Sequence, residues 1–169
     1  MIAISIDLTS TIRINIEIFH KMDVELEKQL LSACKKGNVE EVKKLLQEGV
    51  NPNCQDKENG DKTPLDYACR LGRIDVVKLL LNAERVDVNK TNRGCATPFY
   101  IACQEGKIET VKLLLNDQRV DINKATSDGV TPFYTTCRKG HIEIVNLLLN
   151  DKRVDINKAN NDGQTPFWI

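Results

Sequence analysis

The sequence predicts an all-α array of repeated helical pairs, a solenoid rather than a globule closed around one centre. Two observations carry that expectation. Thr63-Pro64, Thr97-Pro98, Thr131-Pro132 and Thr165-Pro166 recur at a spacing of 34 residues. The segments between them recur with them: Leu79-Leu80-Leu81-Asn82 returns at 113–116 and 147–150, and Val86-Asp87-Val88-Asn89-Lys90 returns, with Ile for the second Val, at 120–124 and 154–158. A fixed period between 20 and 50 residues marks a repeat array. Such arrays present long continuous surfaces and seldom enclose catalytic pockets.

Residues 1–22 read as a leader, strand-like or disordered. Ile2, Ile4, Ile6, Leu8, Ile12, Ile14, Ile16 and Ile18 alternate with mostly polar residues, and a period of two predicts a strand, with a hairpin around Thr9-Ser10-Thr11. Asp7, Arg13 and Glu17 interrupt any apolar run, so a signal peptide is not expected, nor is a bilayer-spanning segment. Residues 1–21 are expected to be dispensable, their deletion lowering Tm by less than about ten degrees. The first unit, 23–62, is degenerate. Its first helix ends at Leu30-Leu31-Ser32-Ala33-Cys34-Lys35-Lys36-Gly37 without Thr-Pro, its second covers Val39–Leu46, and its loop, Cys54–Lys62, is two residues longer than the later ones. Terminal units are expected to be atypical, since one face meets solvent.

The units 63–96, 97–130 and 131–164 share one plan. Thr is a good N-cap, and Pro at the first helical position has no N–H to satisfy. A short helix follows, as over Leu65–Leu71, and Gly72, Gly106 and Gly140 stop it by accepting the left-handed conformation. A second helix, Ile74–Asn82 and its copies, is apolar almost all round and must lie between neighbours. Arg-Val-Asp-Val/Ile-Asn-Lys then leads through turn formers to the next Thr-Pro. Residues 165–169 begin a further unit with no second helix to complete it, and the last full unit is expected to expose part of its apolar face.

Thr-Pro-Leu-Asp-Tyr-Ala (63–68), Thr-Pro-Phe-Tyr-Ile-Ala (97–102), Gly-His-Ile-Glu-Ile-Val (140–145) and Asp-Val-Asn (87–89) resemble the ankyrin repeat. The resemblance runs from about Asp23 to Ile169. It implies an ankyrin solenoid of helix–turn–helix units joined by β-hairpin-like loops. The chain departs from the family in two ways. Asp66, Tyr100, Tyr134 and Trp168 stand where the family often has His. The unit of 34 residues exceeds the family's 33, the extra residue falling within Asn82-Ala83-Glu84-Arg85 and its copies. In the loop before Thr97, Gly94-Cys95 stands where later units have Asp128-Gly129, a one-residue shift of the glycine.

Composition narrows the function. Lys plus Arg equals Asp plus Glu at 24 each, and a pI near 6.7 gives no global pull toward nucleic acid or an anionic membrane. With four Phe, three Tyr and one Trp, base-stacking platforms are not expected. Cys34, Cys69, Cys103 and Cys137 occupy one position in four successive units. Stacked helices lie about 8–10 Å apart, beyond the ~7 Å Cα separation a disulfide tolerates, so they are expected as small buried side chains. Cys54 and Cys95 fall in loops and are expected as exposed thiols. This usage fits a reducing compartment, cytoplasm or nucleus. With His20 and His141 alone and no Cys-x-x-Cys, no metal site is expected. No phosphate loop appears, Glu40-Glu41 and Asp151 read as solvated charges, and His141 reads as capping and packing rather than as a base for Cys137. Neither cofactor nor catalysis is expected.

The resemblance places a partner protein on the concave face, formed by first helices and loop tips. Carried onto this chain, the helix positions are Lys35, Lys36, Arg70, Leu71, Gln104, Glu105, Arg138 and Lys139, and the tip positions are Asn92, Arg93, Thr126, Ser127, Asn160 and Asn161. Tyr100 and Tyr134 either flank the same groove or pack between units. Five of the eight helix positions are basic and one is acidic, which suits an acidic protein segment, with Arg70 and Arg138 as anchors. Two alternatives stand beside this one. The array could be the targeting module of a longer, enzymatic protein cut at residue 169. Alternatively Asn89, Asn123 and Asn157, in Leu-spaced Asp-Val/Ile-Asn contexts, resemble ankyrin asparagines that a dioxygenase hydroxylates. Against that stands a structural role, in which each Asn closes its own hairpin.

Overall fold

The computed structural model describes residues 8–168, with side chains from His20 to Phe167. Eight helices follow one another: α1 (Leu8–Lys36), α2 (Val39–Gln47), α3 (Pro64–Leu71), α4 (Ile74–Leu81), α5 (Pro98–Gln104), α6 (Ile108–Asn116), α7 (Pro132–Lys139) and α8 (Ile142–Leu149). Two short 3-10 turns, Lys57–Asn59 and Pro166–Trp168, complete the order. First helices contact first helices in the series α1, α3, α5, α7, and second helices contact second helices in the series α2, α4, α6, α8. The result is the expected all-α array in two rows.

The local chemistry explains each start and stop. The Thr63, Thr97 and Thr131 hydroxyls each accept from the backbone N–H three residues on, at 3.1 Å, with Pro at the first helical position. Gly72, Gly106 and Gly140 take φ of 62°, 64° and 70° at the other end, a region that costs other residues strain. The left-handed residue of the loop before Thr97 is Cys95, at φ 59°, in register with Gly129 and Gly163. The expected shift of the glycine therefore does not move the bend; the backbone keeps its path and Cys95 bears the strain.

The expected strand over residues 2–18 is corrected from Leu8 onward, because Leu8–Ile18 belongs to α1; residues 2–7 lie outside the described residues. No Gly or Pro occurs between Met1 and Lys36 to break a helix. Extending a helix already anchored at its C-terminal half needs no new nucleus. A strand here would have no partner: the β-pairing among the described residues is one isolated bridge, Asp56 with Lys62.

One continuous apolar core runs through the array from Leu30 to Leu148. Cys34, Cys69 and Cys103 are fully buried in it, and burial pushes the thiols of Cys34 and Cys103 up to about 12. Cys137, expected to be buried like them, is half-exposed, since in the first-helix row α7 is covered on its far side by the short turn Pro166–Trp168 rather than by a full helix. Cys54, expected to be exposed, is buried with its Sγ 3.8 Å from the Glu27 carbonyl oxygen. The cause is α1, which extends over the first loop. At the far end Ile142, Leu149 and Phe167 are exposed, as expected of the last unit.

Candidate functional site: the first-helix face and the loop tips

The helix positions named from the sequence lie at the C-terminal ends of α1, α3, α5 and α7. Lys36, Arg70, Leu71, Glu105, Arg138 and Lys139 are exposed, and Lys35 and Gln104 are half-buried. Arg70 is not a free anchor, since Glu105 of the next helix lies 3.9 Å from its Nε. Among the described residues Lys36, Arg138 and Lys139 have no such carboxylate. These three cations dominate the face.

Lys35 anchors a buried-edge cluster. Its Nζ lies 3.1 Å from Asp56 Oδ2 and 4.1 Å above the Tyr67 ring, and the Tyr67 hydroxyl donates to the same oxygen at 2.7 Å. Partial burial of Asp56 opposes its ionisation, but bonds from Tyr67, Asn59 and Lys35 outweigh it and hold the carboxyl well below the usual range. Beside this cluster a cleft of about 730 Å³ opens between α1 and the first loop, floored by Val24 and Leu31 and rimmed by Lys28, Lys57 and Glu58. Sequence reasoning missed it, because the cleft is made by the packing of α1 against the long first loop. The available signal was the unbroken run of helix-compatible residues before Lys36.

The tips form a ladder. Asn92, Thr126 and Asn160 close their own loops by donating a backbone N–H to the carbonyls of Ala96, Val130 and Gln164. The Asn92 and Asn160 side-chain oxygens also accept from loop amides at 2.9–3.1 Å. These three are frame rather than contact. The next residue in each tip, Arg93, Ser127 or Asn161, is exposed and donates its backbone N–H to the preceding tip, at Gly60, Gly94 or Asp128. Arg93 also reaches Asp61 Oδ2 at 3.1 Å. Tyr100 and Tyr134 do not flank this surface. They are buried with Ala96, Ile101 and Val130 in a second apolar cluster, because their helix positions point between units.

The asparagines behave differently from the expected closure of their own hairpins. Asn89 Nδ2 donates to the Arg119 carbonyl at 2.7 Å and its Oδ1 accepts from Asp121 N at 2.8 Å. Asn53 and Asn123 repeat both bonds to the following loop at the same distances. Each amide thus clamps one unit to the next, while the neighbouring Asp shapes the turn: Asp87 Oδ1 accepts from Asn89 N at 3.0 Å. Asn157 is exposed, and among the described residues its side-chain amide bonds no other loop. His141 makes a similar connection, its Nε2 lying 3.0 Å from the Gln104 carbonyl oxygen at the end of α5. The expected capping of α8 is not made by its side chain; the ring packs instead against Gly106 and the end of α5. Among the described residues no cluster of His, Cys, Asp and Glu could hold a metal ion, and no helix is long and apolar enough to cross a membrane.

The family model for ankyrin repeats matches this chain in three copies, over residues 1–92, 30–126 and 99–169. A curated protein of fowlpox virus (strain NVSL), named for its ankyrin repeats, is 42% identical over 52 residues. That alignment covers 31% of this chain and 36% of the relative, so the chain matches about a third of the relative's length.

Proposed function

The chain belongs to the ankyrin-repeat family, whose members generally bind other proteins, and from that premise we propose that it is a non-catalytic scaffold gripping a partner protein on the first-helix face. One observation carries the reading. The leucines that seat the second helices repeat unchanged, as in Leu80, Leu114 and Leu148, while the ends of α1, α3, α5 and α7 change charge from unit to unit: Lys35-Lys36, Arg70-Leu71, Gln104-Glu105 and Arg138-Lys139. Charge that changes at the accessible ends of a regular frame gives a shaped and specific surface. Its charge favours an acidic segment, with Arg138 and Lys139 as the principal cations now that Arg70 is paired with Glu105. The cleft beside Lys35 extends the same face toward α1. A reducing compartment, cytoplasm or nucleus, suits the free thiols.

The test is an affinity capture with the full chain, followed by association kinetics with the captured partner at two salt concentrations. Charge reversal at Arg138 plus Lys139 slows association severalfold at low salt and less at high salt. A partner whose on-rate ignores that double reversal removes the acidic-segment reading.

Of the three asparagines with hydroxylation contexts, Asn89 and Asn123 have their amides engaged on both sides. Asn157 is the one open to a modifying enzyme without opening the array, and mass spectrometry of its peptide reports any added oxygen.

A further inference from the structure

The loops after α4, α6 and α8 repeat with one chemical gap. Asn116-Asp117-Gln118-Arg119 and Asn150-Asp151-Lys152-Arg153 correspond, at spacings of 34, to Asn82-Ala83-Glu84-Arg85. In the two later loops the aspartate grips the arginine two residues on. Arg119 Nε lies 3.0 and 3.2 Å from the two Asp117 oxygens, and its Nη2 lies 2.6 Å from Oδ2 while donating to the Leu81 carbonyl at 2.7 Å. Arg153 repeats the arrangement with Asp151 and the Leu115 carbonyl.

Arg85 also donates to the preceding unit, but to the Gly49 carbonyl beyond the end of α2, at 3.2 Å, and not to a helix-end leucine; Ala83 stands where the carboxylate would be. Glu84 does not replace it. No ion pair joins Glu84 to Arg85 among the described residues, and the matching residue one unit along, Gln118, is not the one that meets Arg119. Beside Arg85 lies a cleft of about 400 Å³, floored by Leu46, Pro52 and Leu79 and bordered by Lys43. The corresponding cleft one unit along contains Asp117 and Arg119 and so already holds its carboxylate.

We infer that the cleft at Ala83 receives an aspartate or glutamate carboxylate from a protein partner, paired with Arg85 as Asp117 is paired with Arg119. An aliphatic side chain next to that acid fills the floor over Leu46, Pro52 and Leu79, and Lys43 adds a second cation. A bidentate arginine–carboxylate contact is directional and charge-assisted, so it discriminates acid from amide. The site lies on the second-helix side of the array and does not depend on the first-helix face proposed above.

The experiment titrates the full chain with two capped dipeptides, acetyl-Leu-Asp-amide and acetyl-Leu-Asn-amide. The readout is the Nε–H resonance of Arg85 and the backbone amides of residues 83–85. The aspartyl probe shifts them saturably, and the asparaginyl probe binds about tenfold or more weakly. Ala83→Asp installs the missing carboxylate in cis and abolishes the response, without disturbing the other amides, because Asp117 and Asp151 already occupy that place in the same backbone. Lys43→Gln weakens the probe severalfold. Equal binding of the two dipeptides, no movement at Arg85, or an undiminished response in Ala83→Asp would each overturn the assignment. Ala83→Asp leaves capture of a first-helix-face partner unchanged, so failure of one site does not imply failure of the other.

Discussion

Cys95 shows how little a single position needs in order to depart from its copies. It occupies a left-handed backbone at φ 59° where the two later loops have Gly129 and Gly163 at 77° and 79°. For a non-glycine residue that region costs about 1–2 kcal/mol. Its side chain is exposed, so substitution removes no packing. Cys95→Gly therefore gains about 1 kcal/mol in urea unfolding, less the entropy that a glycine adds to the unfolded chain; a loss of stability would mean that the thiol makes a contact worth more than the strain. Asp66 presents the opposite case, a buried carboxyl retained for one bond. Its Oδ2 accepts from Thr63 N at 2.9 Å, whereas Oδ1 is buried without a partner. Burial outweighs the Thr63 bonds and pushes the group up to about 7. Between pH 4 and 7 the folded chain then holds a proton that the unfolded chain has released, so stability falls as pH rises through that window and levels off above it. Asp66→Asn flattens this slope and, above pH 7, is more stable than the parent by an amount on the order of a few kcal/mol. A slope identical in the two proteins over pH 5–8 would refute the assignment.

At the level of elements, what the sequence revealed depended on the reach of each interaction. Helix starts were legible because Thr and Pro act within three residues, and helix stops because glycine acts on its own backbone. Long-range consequences were not legible. The period-two isoleucines of α1 promised a strand because alternation ignores whether a partner strand exists, and burial of Cys54 depends on a helix 27 residues earlier. The Asn clamp belongs to the same class. Asn89, Asn123 and Asn157 look identical in sequence, yet the side chains of the first two bind the following loop and that of the third binds none among the described residues. Asn89→Ala breaks two bonds at 2.7 and 2.8 Å and leaves the Asp121 amide and the Arg119 carbonyl without their partner. The expected loss is about 1–3 kcal/mol. Asn157→Ala, at an exposed position whose amide makes no such clamp, costs within about 0.5 kcal/mol. Equal costs for the two, measured by urea unfolding, would show that the clamps add nothing. The candidate face was legible to a similar depth: the six exposed helix-end positions stand where expected, but Tyr100 and Tyr134 turned inward because an aromatic at an inter-unit position buries more area than a groove wall would.

The whole molecule has its stability distributed along one axis. Leu80, Leu114 and Leu148, at 0%, 0% and 1% exposure, hold equivalent places in α4, α6 and α8, but α6 has a second helix on both sides and α8 on one. In such an array each unit is stabilised by its neighbours, and weakening an interior unit uncouples the parts that flank it. Leu114→Ala should cost about 2–5 kcal/mol, more than Leu148→Ala, and should also change the shape of unfolding. The single tryptophan, Trp168, lies in the terminal turn, so its fluorescence follows that end while far-UV circular dichroism follows all eight helices. In the parent the two probes give one urea midpoint. In Leu114→Ala the α7–α8 unit loses its supported side, and the fluorescence midpoint falls below the dichroism midpoint. In Leu148→Ala the damage lies within the terminal unit itself, and the same order of midpoints appears with a smaller total loss. Coincident midpoints in Leu114→Ala, with the full energetic cost, would mean that the chain unfolds as one indivisible block and that its units do not act as neighbours.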